Sequence, residues 1–371
     1  MDLPPFLLDH WLSRHDFADP PIAYNLASST GPRWTVDELF ALGDGSPPDI
    51  GDTILSYAPP EGSRALREAV ARFLDTDPDW VVITAGASEA LSILMCLMTR
   101  DGANIVIPDP GYPAYAAMAQ AWRLDTRLHR LDRAEDFTQT GAAVMAAMDA
   151  KTVGAIVNTP HNPTGSVMEP HDLAQLAGAM AERGAPLLVD EVYHPLYFGT
   201  PLPSAASTGI ANLIVMGDMS KALSLPGLRM GWIVDGDAER RQRIIDARSY
   251  FTISSSPLLE RIAAHALDHA ATIIARLAKV ANHNLPLLDD LISRTNGQLA
   301  WSRPRGGTTA YPWFSDGRDS RPFCEMLAKA GVLVAPGDCF GQPDHMRIGF
   351  TQQAEGFDIA IARMADALAT L

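Results

Sequence analysis

The chain has 371 residues, 47% of them apolar and 20% charged, with a formal net charge of −15; this suffices for about two domains and has the wrong sign for gripping a nucleic-acid backbone. Cys96, Cys324 and Cys339 are its three cysteines, widely spaced and without a CxxC pair, which argues against a disulfide framework or a zinc site and fits a cytoplasmic location. The opening MDLPPFLLDHW lacks a basic n-region and the most apolar helical stretch, ALSILMCLMT, is too short to span a bilayer, so neither secretion nor membrane insertion is expected.

From about residue 80, strand-like and helix-like stretches alternate. WVVIT reads as a strand and ASEALSILMCLMT as a helix; NIVIPDP reads as a strand and YPAYAAMAQAW as a helix. TVGAIVNTP, HDLAQLAGAMAERG and APLLVDEVY continue as strand, helix and strand, and NLIVMGD and MGWIVDG follow. Short continuous apolar runs between amphipathic helices predict a mostly parallel sheet covered on both faces, an α/β layer architecture. After about residue 255, LLERIAAHALDHAATIIARLAKVANH reads as long helix, followed by short strands (GTTAYPWF, HMRIGF) and a closing helix, GFDIAIARMADALATL. The expected division is an N-terminal segment (1–49) that joins a small α+β domain built with residues 256–371, and a large α/β domain over 50–255.

Ligands of doubly wound sheets bind beyond the carboxyl ends of the strands, so the loops that follow each strand carry the functional question. Gly86-Ala87-Ser88 follows WVVIT and opens a helix, and the free N–H groups of such an N-terminus suit a phosphate. Tyr112 follows NIVIPDP, Asn162 follows AIVNTP, Asp190 and Tyr193 follow LLV, and Ser220, Lys221 and Arg229 follow NLIVMGD. Singly, each has an ordinary explanation: a helix cap, a core aromatic, a turn residue, a salt-bridge partner, a surface charge. Together they supply what pyridoxal 5'-phosphate requires. Its aldehyde needs a lysine amine for a Schiff base, and its ring nitrogen needs a carboxylate to stay protonated. An amide and a phenol serve its O3' phenolate, an aromatic serves its ring face, and a helix N-terminus with a fixed cation serves its phosphate.

Tyr57, GASEA (86–90), PGYPAY (110–115), NPTG (162–165), DEVY (190–193), SKALSLPGLRMGW (220–232), PRGGTTAY (304–311), PGDCFG (336–341) and MRIGF (346–350) stand in one order along the chain. In that order they resemble the motifs of the class I/II aminotransferases, fold-type I pyridoxal-phosphate enzymes of the aspartate aminotransferase superfamily. The resemblance implies a large domain with a mostly parallel seven-stranded sheet between helices, plus a smaller α+β domain. It implies that Lys221 holds the cofactor as a Schiff base and then acts as general acid/base, that Asp190 pairs with the ring nitrogen, and that Asn162 and Tyr193 reach O3'. Tyr112 would stack on the ring, while Gly86, Ala87, Ser88, Ser220 and Arg229 would hold the phosphate. Tyr57 would reach the phosphate of a partner subunit, which implies a homodimer with shared active sites. Arg347, with Asn162 beside it, would clamp the substrate α-carboxylate as a bidentate pair. The implied reaction is interconversion of an amino acid and a 2-oxo acid.

Two stretches depart from the family pattern. Many members carry a phosphate-binding serine three positions before the lysine, where this chain has Asp218. A carboxylate there would repel the phosphate, so Asp218 is expected to cap the loop, accept backbone N–H bonds or answer a nearby cation. NLASSTGPRW has serines where the family offers a glycine-bearing loop, which makes Ser28 or Ser29 a candidate for the substrate carboxylate and Trp34 a candidate pocket wall. The opening LLDHWLSRHDF…ASST is similar to pyridoxal-phosphate cyclases acting on hydroxylated arginine, of the capreomycidine synthase kind. An amino-acid cyclase or a β-eliminating lyase therefore stands beside the aminotransferase. Outside this chemistry, Ser88 in GASEA would be the nucleophile of a serine hydrolase, which leaves the lysine, DEVY and NPTG unexplained. A catalytically silent binding module would have no use for the lysine, the aspartate and both arginines. His161 and His194 adjoin the cofactor motifs without filling a position that the chemistry requires, and no histidine pair shows metal-ligand spacing.

Overall fold

The computed structural model describes residues 3–43, 45 and 48–371; Met1 and Asp2 of the opening stretch, and three residues of the N-terminal segment, lie outside it. Its central sheet has seven strands: β1 (Val81–Thr84), β2 (Asn104–Asp109), β3 (Asp125–Arg130), β4 (Thr152–Asn158), β5 (Leu187–Asp190), β6 (Leu213–Asp218) and β7 (Gly231–Asp235). Their spatial order is β1-β7-β6-β5-β4-β2-β3, parallel except for β7, which runs antiparallel to both neighbours. This is the mostly parallel seven-stranded α/β sheet that the family resemblance implies.

The apolar runs follow from burial on two faces. Val157, Val189 and Val215 enter the core on one face, and their neighbours Ile156, Leu188 and Ile214 enter the core on the other. β3 escapes this pattern. It is an edge strand, DTRLHR, in which only His129 is buried, so no apolar run announces it.

Five helices matter for the site: α1 (Leu7–Asp16), α2 (Ala87–Met98), α3 (Ala238–Phe251), α4 (Pro257–Asp268) and α5 (Ala270–Arg294). The expected long helix is two, broken at His269, whose backbone (φ −110, ψ 18) leaves the helical region. Among the described residues no helix is long and apolar enough to cross a membrane.

The third core joins the two ends of the chain. Strands β8 (Thr309–Ala310), β9 (Ala335–Pro336) and β10 (Met346–Gly349) form an antiparallel sheet with β10 in the centre. Tyr24–Asn25 pairs in parallel with Val332–Leu333. Leu8 and Trp11 of α1 pack in the same core as Phe314 and Ile348, and the Trp11 indole donates to the Val334 carbonyl at 2.9 Å. The N-terminal segment is thereby anchored to C-terminal elements and carried across the carboxyl ends of β4–β6.

β7 also fixes the start of α2. Gly231 is paired with both Thr84 and Asp218, and a Cβ there would stand 2.7 Å from the Gly86 carbonyl carbon and 2.9 Å from the Gly217 oxygen. These are backbone atoms and cannot rotate away. Gly231→Ala is therefore expected to cost about 1–3 kcal/mol of stability through overpacking, read as a lower urea midpoint; an unchanged midpoint would contradict this close approach.

Candidate active site

A cavity of about 260 Å³ opens at the carboxyl ends of β4, β5 and β6, bounded by the start of α2, by α1 and by β10. Asp190 closes β5 within it. The Tyr115 hydroxyl donates to Asp190 Oδ2 at 2.6 Å and the Val192 N–H to Oδ1 at 3.2 Å. Burial pushes this carboxyl up to about 6; the two donors and the Lys221 amine oppose the rise, and the Asp218 carboxylate adds to it.

Lys221 reaches the same cavity from the loop after β6, and its Nζ donates to Ser29 Oγ at 2.9 Å. Burial lowers the pKa of the amine, against the pull of Asp218. A desolvated lysine gives up its proton more readily and becomes a better nucleophile. Asp218 accepts the Ser220 N–H at 2.8 Å, the loop-capping role expected of it, while still lining the cavity.

Tyr112, Tyr193 and Asn162 line the middle. Tyr112 stands edge-on to Phe6 (6.0 Å between centroids) and to Tyr115 (5.6 Å), and burial pushes its phenol up to about 12. Tyr193 is fully buried and its phenol is raised by that burial, with Arg347 and Ser29 opposing. Arg347, on β10, donates from Nη1 to Asn162 Oδ1 at 3.1 Å and from Nη2 to the Ala27 carbonyl at 2.6 Å. Its Nε has no partner, and among the described residues it forms no ion pair. A buried guanidinium at a cavity wall, with no carboxylate partner among the described residues, is equipped to receive one.

The opposite end is built for an anion. Gly86 is the N-cap of α2, with φ +83 and no side-chain cap, so the first N–H groups of the helix remain free. Ala87 and Ser88 open that helix onto the cavity, and Ser220 lines it nearby. Arg229 leans over the turn: its Nη1 donates to the Pro226 carbonyl at 3.2 Å and its Nη2 lies 3.5 Å from the Ala85 carbonyl. Gly86 favours glycine through its positive φ of +83.

Not every candidate converges. Tyr57 is 78% exposed and lies outside the cavity of its own chain. Trp34 also lies outside, under the Arg276 guanidinium at 4.3 Å. Of the two serines, Ser29 lines the cavity, whereas Ser28 Oγ is paired with Thr30 Oγ1 at 2.9 Å. Other residues enter without having been singled out. Tyr115 holds Asp190 from the first turn of the helix Ala114–Ala121, whereas Tyr112 lies ahead of that helix. Asn158 ends β4 in register with Asp190; its Nδ2 donates to the Asp190 carbonyl at 2.9 Å and its Oδ1 accepts the Asn162 N–H at 2.7 Å. Phe6, just before α1, and Asp9 in its first turn line the cavity, and nothing in the local sequence says that this helix folds over the sheet.

The family description "Aminotransferase class I and II" matches residues 47–364. The chain belongs to that family. Capreomycidine synthase of Streptomyces vinaceus is 32% identical over 99% of this chain and 95% of its own length. Among solved structures, a PLP-dependent aminotransferase from Streptococcus suis aligns with a TM-score of 0.91 at 25% identity, covering 100% of this chain and 99% of that one. The PLP-dependent cyclase OrfR aligns with a TM-score of 0.89 at 27% identity, covering 100% and 98%. The protein is thus a pyridoxal-phosphate enzyme of fold type I. The cavity fits that cofactor by its own chemistry: a buried amine of lowered pKa, a buried carboxylate without a cation hydrogen-bonded to it, and an uncapped helix N-terminus beside an arginine.

The cost of this arrangement is measurable without cofactor. Asp190 and its neighbour Glu191 are raised by burial to about 6 and about 7, from ordinary values of 3.8 and 4.5. At these two groups the folded chain keeps protons that the unfolded chain releases between about pH 4 and pH 7, so their contribution to the stability of the cofactor-free protein falls as pH rises through that window. The buried His129, His161 and His194, lowered by burial to about 4, about 3 and about 4, act in the opposite sense. Asp190→Asn is expected to stabilise the cofactor-free protein near neutral pH, by up to the order of 3 kcal/mol, and to leave it unchanged near pH 4. Melting curves at the two pH values check this; an equal shift at both would contradict it.

Proposed function

We propose that the protein is an aminotransferase, interconverting an amino acid and a 2-oxo acid, with Lys221 carrying the proton removed from the substrate Cα. The observation that supports this most is the meeting, in one cavity, of the Lys221 amine, the buried Asp190 carboxylate and the Arg347 guanidinium, which has no carboxylate partner among the described residues. When bound, pyridoxal phosphate supplies an electron sink for the charge left at Cα. Asp190, oriented by Tyr115 and Val192, would keep a proton on the ring nitrogen; Asn162 and Tyr193 would serve O3', and Tyr112 the ring face. The start of α2 with Ser220 and Arg229 would hold the phosphate. Arg347 would orient the α-carboxylate so that the Cα–H faces Lys221, whose amine takes the proton and returns it one position along. Ser29 Oγ, already accepting from Nζ, gives the amine a place to rest between these steps. α1, with Leu12 in it and Phe6 just before it, covers this space and limits water. Tyr57, exposed here, would complete the phosphate site of a second copy, and the protein would act as a homodimer.

A cyclase is the second reading, and a specific feature favours it. The full-length similarity to capreomycidine synthase includes the N-terminal segment that precedes the family match, and that segment brings Asp9 to the cavity. A carboxylate there suits an amino acid with a cationic side chain, and such a side chain, once its proton is lost, can close on its own β-carbon if that carbon carries a leaving group.

Mixing the cofactor-loaded protein with single amino acids separates the two. Transamination converts the cofactor stoichiometrically to its amine form and stops until a 2-oxo acid is added; cyclisation turns over without one. Lys221→Ala is expected to lower either turnover by about 10²- to 10⁴-fold, and borohydride reduction with peptide mapping to place the cofactor-derived mass on Lys221. A mass elsewhere would overturn the assignment. Asp9→Asn is expected to raise KM about threefold for cationic amino acids and to leave uncharged ones unaltered, the scale of an exposed ion pair; equal changes for both classes would remove Asp9 from substrate selection.

A further inference from the structure

Behind the anion end of the cavity lies a buried ion pair that the scheme above does not use. Arg248, in the last turn of α3, is 0% exposed. Its guanidinium donates to the Pro60 carbonyl and, at 2.6 Å, to Ser255 Oγ. Its Nε makes no hydrogen bond and stands 3.9 Å from Glu89 Oε2. Glu89, in the first turn of α2, is spoken for on both oxygens: Oε2 accepts the Ala85 N–H at 2.6 Å, and Oε1 accepts the Thr252 hydroxyl at 2.6 Å. The Ala85 carbonyl faces Arg229. The residue just before Gly86 is therefore held at its N–H by Glu89 and approached at its C=O by Arg229.

This geometry poses an electrostatic problem. A glutamate in the first turn of a helix is favourable for the helix, yet here its charge sits beside the positive end that a phosphate dianion needs. Repulsion between them is weakly screened in a buried setting. Arg248, placed directly behind Glu89, cancels that charge while leaving both carboxylate oxygens to hold the turn. An ion pair of this kind is a poor source of stability, because an apolar pair of similar volume fills the space as well; what it supplies is direction and neutrality. Its other contact, to Pro60, reaches the segment three residues beyond Tyr57.

We propose that Arg248 is a positioning residue for the cofactor phosphate: by neutralising and aiming Glu89, it keeps the Ala85–Gly86 turn and the positive end of α2 set for a phosphate dianion. This rests on Gly86–Ser88 and Arg229 being the phosphate site.

The test compares two vitamers, pyridoxal 5'-phosphate and pyridoxal, which lacks the phosphate. Each is titrated into the cofactor-free protein and followed by absorbance. Arg248→Met is expected to weaken pyridoxal phosphate about tenfold, the scale of one impaired charge-assisted contact, and pyridoxal by less than about twofold. The double variant Glu89→Gln/Arg248→Met, which removes both charges of the pair while Glu260 and Glu61 still face the site of Arg248, is expected to regain most of the lost affinity. Equal loss for both vitamers, no loss for the phosphorylated one, or no recovery in the double variant would each overturn the proposal. Should Arg248→Met fail to fold, Arg248→Lys takes its place, with a smaller loss that is again confined to the phosphorylated vitamer; equal or absent loss overturns the proposal there too. A wild-type protein that binds both vitamers equally well would instead remove the phosphate site itself.

Discussion

The structure depends on burying a carboxylate at the wall of a cavity. Asp190 ends a strand buried on both faces, and among the described residues its carboxylate accepts from a phenol and a peptide N–H alone. Burial opposes its ionisation, which makes the folded, cofactor-free chain less stable than an apolar residue there would. That cost is the mark of a site prepared for a cationic partner, which on the proposed reading would be the protonated ring nitrogen of the cofactor. The same desolvation acts on Lys221 in the opposite sense and weakens its hold on its proton. Burial at one cavity thus makes a carboxylate hungry for a positive charge and an amine ready to lose one.

The N-terminal segment connects this pair to the substrate end. Residues 26–30 run between β10 and the lysine loop. The Gly349 N–H donates to the Leu26 carbonyl at 2.6 Å, Arg347 to Ala27, Thr308 to the Ser29 carbonyl at 2.9 Å, and Lys221 to Ser29 Oγ. The approach is close enough that a Cβ on Gly349 would meet the Ser28 oxygen at 1.8 Å. A stretch with little secondary structure of its own therefore sets the distance between the Arg347 guanidinium and the Lys221 amine. At the other end of the cavity Glu89 and Arg248 do comparable work on the turn before α2, by balancing charge rather than by threading backbone.

The comparison between sequence and fold turns on how far each signal reaches. Six strands are legible because residues buried on two faces must be continuously apolar, while the edge strand DTRLHR, wet on its outer side, carries no such mark. Lys221, Asp190, Asn162 and Arg229 are legible because the cofactor needs those chemical groups after consecutive strands. Tyr115, Asn158 and Arg248 are ordinary in sequence. Their importance comes from partners far along the chain: Tyr115 meets Asp190 across 75 positions, and Arg248 meets Glu89 across a separation that no local pattern encodes.

The amino-acid sequence by itself determined the layer architecture, the cofactor and most of the polar groups gathered at one cavity, because period and residue chemistry are local properties. Tertiary structure alone decided which of two adjacent serines meets Lys221, that α1 and Asp9 close the cavity, that Trp34 lies elsewhere, and that a buried arginine answers a glutamate at the start of α2. Those outcomes depend on which surfaces pack together and which charges lose their water, and both are set by contacts between segments that the chain order keeps apart.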